Sequence, residues 1–298
     1  MVLFLYDSVR ASPLQGAYHV GGLIGFALLL LLGVGAAVRF TLPAIETALL
    51  YFPLRHHVAQ PSNVGLRAEE LRPRAADGTH LHGWWLRSPT AAAIDAPRPV
   101  VIWFSGNGGN VSGGLENARR LIDRLDVEIV SVDYRGYGLS DGAPTEAGLY
   151  QDGRAIYDAV RARGVPAQRI VLFGRSLGAA VAVDVAFDRS IAGLVLETPF
   201  LSVPTLARTH YPLVPGFLIR SRYDNARKVP DIIVPKLIVQ AEHDEVAPPE
   251  HAARLYELAI QPKRLHVLAG AHHNDTFAED SAGYFRVWSE LLESARRT

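Results

Sequence analysis

The sequence contains no cysteine, and this absence excludes three kinds of chemistry at once. Without thiols the protein has no disulfide framework, no thiolate metal site and no cysteine nucleophile. An excess of charge of either sign is also missing, because 30 lysines and arginines balance 30 aspartates and glutamates. This balance leaves no basic excess for nucleic acid, so we expect no nucleic-acid partner. At 298 residues, the chain is long enough for one large domain or two small ones.

Charge is absent as well from a long apolar run near the N-terminus, residues 20–38. At helical rise this run covers about 28 Å, close to the roughly 30 Å of a bilayer's hydrocarbon layer. We therefore predict an N-terminal tail over 1–18 and a single transmembrane anchor over 19–39. A cleaved signal peptide is the alternative interpretation, because small residues at the end of the run could be cut.

Few charges flank this run. Arg10 precedes it, whereas Arg39 and Arg55 follow it. Long domains cross a membrane largely regardless of such counts. We favour a domain that faces outward, as on a bacterial inner membrane.

A polar stretch that contains QPSN marks a domain boundary near residue 60. We predict a linker over 40–59 and a globular domain over 60–298. Within that domain, apolar runs typical of buried strands alternate with stretches that have helical spacing. The predicted strands are 81–88, 99–104, 127–134, 169–174, 191–197, 235–242 and 264–270, and the predicted helices are 114–125, 147–163, 177–187, 250–259 and 280–296.

Alternation of strands and helices implies parallel strand pairing through right-handed crossovers. The predicted fold class is therefore α/β, with a mostly parallel, doubly wound sheet. Functional residues of such a sheet are expected at the carboxyl ends of its strands.

A single serine interrupts the apolar stretch VLFGRSLGAAVAV, where a predicted strand ends and a predicted helix begins. Gly174, Ser176 and Gly178 form a G-x-S-x-G motif in the strand–turn–helix setting of a nucleophile elbow. Glycine at the two flanking positions permits the tight turn that projects the serine hydroxyl above the sheet. We predict that Ser176 is a nucleophile, and the alternative is a serine that only serves packing.

A serine hydroxyl needs a base, and the base needs an acid that orients it. In proteins with this motif the acid follows the nucleophile in the chain, and the histidine follows the acid. Asp244, just beyond the strand predicted over 235–242, is the candidate acid. Glu245 beside it and Glu197 at the end of another predicted strand are alternatives, and either could simply be a solvated charge.

Two adjacent histidines follow the last predicted strand. His273 is the candidate base, but His272 adjoins it, and only one of the two rings can face the serine. Among the other histidines, His80, His82 and His266 lie in predicted strands and are expected to be packing or surface residues. No histidine pair has a helical metal-ligand spacing beside a carboxylate, so we predict no metal site and no cofactor.

Acyl transfer also needs backbone N–H donors where negative charge develops on the substrate oxygen. Leu177, directly after the serine, is one expected donor. The glycine-rich loop SGNGGN, residues 105–110, follows the strand predicted over 99–104, and Asn107 in it is the second expected donor. The alternative interpretation of this loop is an ordinary glycine turn.

Several segments resemble, in order, those of one known family. DYRGYGLSDGAPTEAGLYQD, GRSLGAA, VQAEHDEVAPP and GAHHND are similar to segments of the Bem46-like and ABHD-type α/β hydrolases, and the resemblance extends over residues 48–298. It implies an α/β-hydrolase fold in which Ser176 is the nucleophile and Asp244 the acid. It also implies that His273 is the base, because the family histidine precedes Asn-Asp, as His273 does here.

The resemblance has departures. Ser105 stands where the family usually has a histidine before Gly-Asn, and His272 replaces a glycine beside the base. Because backbone amides supply the oxyanion donors, the first change is not expected to abolish them. Many relatives carry an N-terminal membrane helix, which supports the anchor by analogy.

The segment 198–231 lies between two predicted strands, where such folds carry a cap. Its prolines and its apolar Phe200, Leu213, Phe217 and Leu218 predict a small cap over an open cleft. The competing interpretation is that these side chains only cover the edge of the sheet.

The sequence therefore predicts a membrane-anchored serine hydrolase of the esterase, lipase or acyl-thioesterase type. Its expected partners are a membrane and an ester or thioester substrate with a lipid-like acyl group. The alternatives are a serine aminopeptidase-like hydrolase of the same fold and a non-catalytic binding protein built on that fold.

Overall fold

A computed structural model of the protein describes residues 41–89, 98–277 and 281–297. The predicted tail 1–18 and anchor 19–39 lie outside these residues. The chain divides into two compact units, Met1–Glu46 and Thr47–Thr298. Across the part of the chain that the structure describes, no helix is both long and apolar enough to cross a membrane.

Ten strands occur in the described residues, eight in a main sheet and two in a small separate sheet. They are β1 Phe52–Pro53, β2 Arg67–Leu71, β3 His82–Arg87, β4 Val100–Phe104, β5 Gly108–Gly109, β6 Glu128–Asp133, β7 Ile170–Arg175, β8 Gly193–Glu197, β9 Lys236–Ala241 and β10 Lys263–Leu268. The main sheet has the order β10-β9-β8-β7-β4-β6-β3-β2. Neighbours from β10 to β6 are parallel, and β3 is antiparallel to both of its neighbours. The mostly parallel sheet predicted from the sequence is confirmed.

Eight α-helices occur in the described residues. They are α1, described over 41–50, α2 Leu115–Leu125, α3 Glu146–Ala162, α4 Leu177–Asp188, α5 Val203–His210, α6 Asn225–Lys228, α7 Pro249–Leu258 and α8 Ser281–Arg297. The five helices predicted from spacing agree with α2, α3, α4, α7 and α8. Their agreement follows from the regular recurrence of apolar residues at helical spacing.

The central strands are buried on both faces, as their unbroken apolar runs predicted. In β4, Val101 and Trp103 contribute to the hydrophobic cluster that includes residues of α2 and α8. Val100, Ile102 and Phe104 contribute to the cluster on the other face, which includes residues of α3 and α4. Helix α4 is buried from Leu177 to Val185, and Asp184 is the one charged residue in that stretch. The helix that follows Ser176 thus packs between the sheet and its neighbours.

Strand β2 has no counterpart among the sequence predictions. It pairs antiparallel with β3 at the edge of the sheet, and only Leu71 of its five residues is buried. An edge strand with charged, exposed side chains has neither an apolar run nor a clear alternation, so no hydrophobic pattern indicated it.

The segment predicted as a linker, 40–59, contains regular structure in its described part. Tyr51 is buried, and its hydroxyl lies 2.8 Å from the Tyr223 hydroxyl. Strand β1 pairs in parallel with β5. The compact unit that holds the main sheet begins at Thr47, so residues assigned to a linker belong to the packed domain.

The predicted cap region, 198–231, holds the short helices α5 and α6. Phe200 is buried, whereas Leu213 is 94% exposed and Phe217 is 83% exposed. Apolar side chains therefore reach solvent only at the tip of this segment, around the turn that follows α5.

Candidate active site

Ser176 lies in the sharp turn between β7 and α4. Its backbone has φ 51° and ψ −116°, a conformation that side-chain-bearing residues rarely adopt. Two residues on, a Cβ at Gly178 would stand 2.0 Å from the Phe104 carbonyl oxygen. Only glycine permits this approach of helix α4 to β4, and the approach sets the serine at the carboxyl end of the central strands.

The His273 ring lies next to this serine. Its Nε2 is 3.1 Å from Ser176 Oγ, and its Nδ1 is 2.8 Å and 2.9 Å from the two carboxylate oxygens of Asp244. An Nδ1–H that donates to the carboxylate leaves the Nε2 lone pair to accept from the serine hydroxyl. The three side chains thus form one hydrogen-bonded chain across residues that are far apart in sequence.

Several donors orient the Asp244 carboxylate. The backbone N–H groups of Val246 and Ala247 donate to Oδ1 at 2.9 Å and 2.7 Å. The Gln240 side chain donates to Oδ2 at 3.1 Å. Because both carboxylate oxygens accept from these fixed donors, the buried side chain is held in place as an acceptor for the His273 N–H.

The two alternative acids lie in other surroundings. Glu197 is buried, but it accepts from the Thr276 hydroxyl at 2.7 Å and from the Tyr284 hydroxyl at 2.8 Å. Burial of the Tyr284 phenol and, to a smaller extent, the negative charge of Glu197 raise the pKa of Tyr284. Glu245 is exposed, and its nearest histidine nitrogen is Nδ1 of the exposed His272, at 3.4 Å. Among the described residues, only Asp244 is paired with the ring that faces the serine.

Arg175 occupies a variable position of the serine motif, and the sequence did not indicate that it contacts the histidine loop. Its Nη2 donates to the His273 carbonyl at 2.8 Å and to Asn274 Oδ1 at 3.3 Å. Its Nε lies 3.1 Å from Glu197 Oε1. The side chain before the serine therefore holds the loop that carries the histidine, and the motif alone gave no sign of it.

The glycine-rich loop lies beside the serine. A Cβ at Gly106 would be 3.7 Å from Ser176 Cβ. The next residue, Asn107, is fixed from both ends: its side chain donates to the Leu50 carbonyl at 3.0 Å, and its carbonyl accepts from Phe52 N–H at 2.9 Å. Leu177, the other expected donor, is the buried first residue of α4 and follows the serine directly.

Two tyrosines brace the same loop from the strand β6 side. Tyr134 donates its hydroxyl to the Ser105 carbonyl at 3.0 Å, and Tyr137 donates to the Asn107 carbonyl at 2.8 Å. Burial raises the pKa of both phenols, so they remain donors at neutral pH. The tyrosines of the DYRGYG segment therefore serve loop structure.

Arg135 lies between these tyrosines in the chain and has two ionic partners, the buried Asp152 and the exposed Asp77. Its guanidinium donates to Asp152 at 2.8 Å and to Asp77 at 2.7 Å. Hydrogen bonding to Arg135 lowers the pKa of Asp77 far below its ordinary value. The guanidinium therefore links helix α3 to the turn that holds Asp77, which is a structural role.

The segment before β2 also meets the glycine-rich loop. Besides the pairing of β1 with β5, the Asn110 side chain donates to the carbonyls of Leu54 and His56, at 2.9 Å and 2.6 Å. We call residues 51–57 the N-terminal strap. Sequence patterning missed the strap, since a two-residue strand has no periodicity.

One group of residues in the described ranges could hold a metal ion, although the sequence predicted none. A nitrogen from each of His57 and His82 and a carboxylate oxygen of Asp133 lie within 4.8 Å of one another. Sequence spacing gave no signal here, because the three residues come from the strap and from two antiparallel strands.

Comparisons with known proteins agree with this architecture. A family model described as serine aminopeptidase, S33, matches residues 95–223. The chain is 34% identical over 232 residues to an uncharacterized protein of Mycobacterium tuberculosis, with 77% of this chain and 81% of that protein covered. It is 30% identical over 248 residues to the protein bem46 of Schizosaccharomyces pombe, with 80% and 81% covered.

Solved structures are similar as well. An esterase of Pyrococcus furiosus superposes with a TM-score of 0.65 at 17% identity, with 82% of this chain and 97% of that chain covered. At such low identity this likeness shows the shared fold.

Proposed function

The chain belongs to the Bem46-like α/β hydrolases, and from this premise we propose that it is a serine hydrolase that works through an acyl-enzyme intermediate. The observation that carries the proposal is the hydrogen-bonded chain from Ser176 Oγ through His273 to the Asp244 carboxylate. This is the arrangement that activates a serine hydroxyl at neutral pH.

The proposed reaction adds water across an ester or thioester bond. Ser176 Oγ attacks the carbonyl carbon while His273 Nε2 takes its proton, and the carbonyl electron pair moves to the oxygen. Backbone N–H groups of Asn107 and Leu177 stabilise that oxyanion. The intermediate then expels an alcohol or thiol, which receives the proton from His273.

Water completes the cycle. It attacks the acyl-enzyme carbonyl, gives a proton to His273, and releases the carboxylic acid as the proton returns to Ser176 Oγ. Asp244 stays ionised throughout, and stabilises the imidazolium that forms in each half-reaction.

Fluorophosphonate labelling tests the nucleophile. We expect stoichiometric labelling of the wild-type protein and none in Ser176→Ala. Ser190→Ala is the matched control, because Ser190 is exposed just beyond the other end of α4. No labelling of folded wild-type protein, or equal labelling of Ser176→Ala, contradicts the proposal and favours a non-catalytic binding protein.

The substrate that we propose is an acyl ester or thioester with a lipid-like chain. Support comes from the exposed apolar tip of the cap region, where Leu213 and Phe217 reach solvent. A series of nitrophenyl esters and acyl thioesters tests this proposal, and kcat/KM should rise with chain length. A preference for acetyl esters contradicts it.

A serine aminopeptidase activity is the second candidate, because the matching family model carries that description. The same triad chemistry cleaves an amide when the leaving group is an amine. Measuring kcat/KM for aminoacyl nitroanilides and for nitrophenyl esters separates the two candidates. An aminopeptidase should have the larger value for the nitroanilides, and an esterase should have it for the esters.

We also propose that residues 19–39 anchor the protein in a membrane, with the hydrolase domain facing outward. The support is the uncharged apolar run in the sequence. Membrane fractionation tests the anchor, and protease accessibility in intact cells tests the side. Recovery of the full-length protein in the soluble fraction contradicts the anchor, and recovery of a protein shortened at its N-terminus indicates a cleaved signal peptide.

A further inference from the structure

A second group of chemically capable side chains lies outside the Ser176 site. His57 Nε2 is 2.8 Å from Asp133 Oδ2, and a ring nitrogen of His82 lies within 4.8 Å of both groups. We call His57, His82 and Asp133 the two-histidine cluster. Two imidazoles and one carboxylate are a donor set that first-row transition metals bind well.

Strand pairing creates this cluster. His82 is the first residue of β3, and it pairs directly with Asp133, the last residue of the antiparallel strand β6. His57 reaches the same place from the end of the N-terminal strap. The two-histidine cluster therefore lies at the edge of the sheet where the carboxyl ends of the parallel strands meet.

The cluster is buried, which is unusual for three ionisable groups. The exposed fractions of the side chains are 5% for His57, 8% for His82 and 0% for Asp133. Trp84 packs against both rings, with centroids 4.7 Å from His57 and 5.9 Å from His82. Buried groups of this kind normally require partners that satisfy every polar atom.

One polar atom of the cluster lacks such a partner. His82 Nε2 lies 2.9 Å from Glu70 Oε1, but Nδ1 is buried with no hydrogen-bond partner among the described residues. When Nε2–H faces a carboxylate, the lone pair of the neutral ring is on Nδ1. A histidine held by a carboxylate on one nitrogen, with the other nitrogen available, has the form of an oriented metal ligand.

A backbone donor also orients the Asp133 carboxylate. Its Oδ1 accepts from Val111 N–H at 2.8 Å, which leaves Oδ2 directed at His57. Gly138 lies beside this pair, and a Cβ there would stand 1.9 Å from Oδ2 and 2.8 Å from His57 Nε2. A residue without a side chain at this position therefore leaves space next to the two ligand atoms.

We propose that the two-histidine cluster binds one divalent transition metal ion of the zinc class, with His57, His82 and Asp133 as ligands and water completing the coordination. Nitrogen-rich ligation disfavours Mg²⁺ and Ca²⁺, which prefer oxygen ligands. On binding, the proton that lies between His57 Nε2 and Asp133 Oδ2 is carried on His57 Nδ1 instead, so the neutral ring coordinates the ion through Nε2. Ligand atoms of a tetrahedral zinc site are about 3.3 Å apart, so the close pair opens and the third nitrogen moves in.

The ion would connect three parts of the protein that meet at this edge of the sheet. Asp133 holds Val111 at the end of the glycine-rich loop, His57 ends the strap that pairs with that loop, and His82 begins β3. The site is separate from the Ser176–His273–Asp244 chain, so its role is to stabilise the loop, and the inference does not depend on the proposed hydrolase chemistry.

Metal binding to the full-length protein, purified without a histidine tag and treated with chelator, tests the proposal. In competition with a chromophoric chelator, we expect one Zn²⁺ per chain, and no competition from Mg²⁺ or Ca²⁺. His57→Gln and His82→Gln should each weaken Kd about 100-fold or more. His56→Gln, at an exposed neighbour in the strap, should leave Kd unchanged.

A second control addresses surface binding. His243 and His272 are exposed with ring centroids 5.8 Å apart, and could capture Zn²⁺ adventitiously. His243→Gln should leave the stoichiometric site intact. Loss of the site in His243→Gln with retention in His57→Gln overturns the proposal, as does the absence of stoichiometric binding by the wild type.

X-ray absorption of the wild-type protein tests the ligand assignment even if a variant fails to fold. X-ray absorption of the wild-type protein loaded with one equivalent of Zn²⁺ should show two imidazoles and oxygen ligands at about 2.0–2.1 Å. The melting temperature should rise with added Zn²⁺. A spectrum with one imidazole or with oxygen ligands alone overturns the assignment.

Discussion

Two buried histidine–aspartate pairs lie at the same edge of the sheet, on opposite sides of Ser176. In both, a ring nitrogen and a carboxylate oxygen are 2.8 Å apart. His273 meets Asp244 through Nδ1 and presents Nε2 to a hydroxyl, whereas His57 uses Nε2 itself for Asp133. The comparison teaches that a His–Asp pair does not by itself indicate catalysis. What matters is which ring nitrogen the carboxylate does not occupy, and which group that nitrogen faces.

Loss of the two rings should therefore have very different effects on turnover. We expect His273→Gln to lower kcat at least about 10⁴-fold, because the serine loses its base. His57→Gln should lower kcat less than about tenfold and act mainly on stability. Hydrolysis of a nitrophenyl ester measures both, and circular dichroism checks that each variant is folded. Similar losses of kcat in both folded variants would break the distinction between the pairs.

Replacing the acids sharpens the comparison further. Asp244→Asn should lower kcat about 10³- to 10⁴-fold with the melting temperature nearly kept, because the amide favours the wrong His273 tautomer. The experiment is a kcat measurement with fluorophosphonate labelling rates as a second readout. Glu245→Gln is the matched control at the adjacent exposed carboxylate, and a comparable loss there would reassign the acid.

Asp133→Ala is expected to destabilise the folded protein. It leaves Val111 N–H and the His57 ring without their acceptor in a buried place, and should lower the free energy of unfolding by about 2–4 kcal/mol. Urea unfolding in chelator-containing buffer measures this loss. A change below about 0.5 kcal/mol, the range of ordinary surface substitutions, would show that the carboxylate has no stabilising role.

Arg175 contacts the loop that carries His273, so its replacement tests whether this contact positions the His273 ring against Ser176. Arg175→Lys keeps the charge but loses the planar donor to the His273 carbonyl, so we expect kcat to fall about tenfold with KM nearly unchanged. Arg254→Lys is the control on an exposed ion pair. If KM rises instead while kcat is kept, Arg175 contacts substrate and does not position the base.

Another buried histidine, His251, accepts from the Leu201 N–H at 3.1 Å, and burial lowers its pKa. Because the unfolded state then binds more protons, stability should fall as pH drops below about 6.5. His251→Asn supplies an acceptor that does not titrate, so its urea midpoint should depend less on pH between 7.5 and 5.5. An unchanged slope would mean that other groups dominate this window.

Local patterns predicted the strands and helices that position the candidate site. The apolar run of β4 and the helical spacing of α2 and α3 reflect burial of neighbouring residues, which each segment shows on its own. Strand β2 and the strap escaped prediction, because an exposed edge strand and a two-residue strand have no such pattern.

The sequence by itself determined the fold class and the turn around Ser176, since each depends on residues close together in the chain, and it gives the order of the candidate nucleophile, acid and base directly. Only the tertiary structure decided which carboxylate meets His273, that Arg175 holds the histidine loop, and that His57 and His82 meet Asp133. Those contacts depend on sheet order and strand register, which bring together side chains as much as 99 positions apart. No local pattern records a distance of that kind.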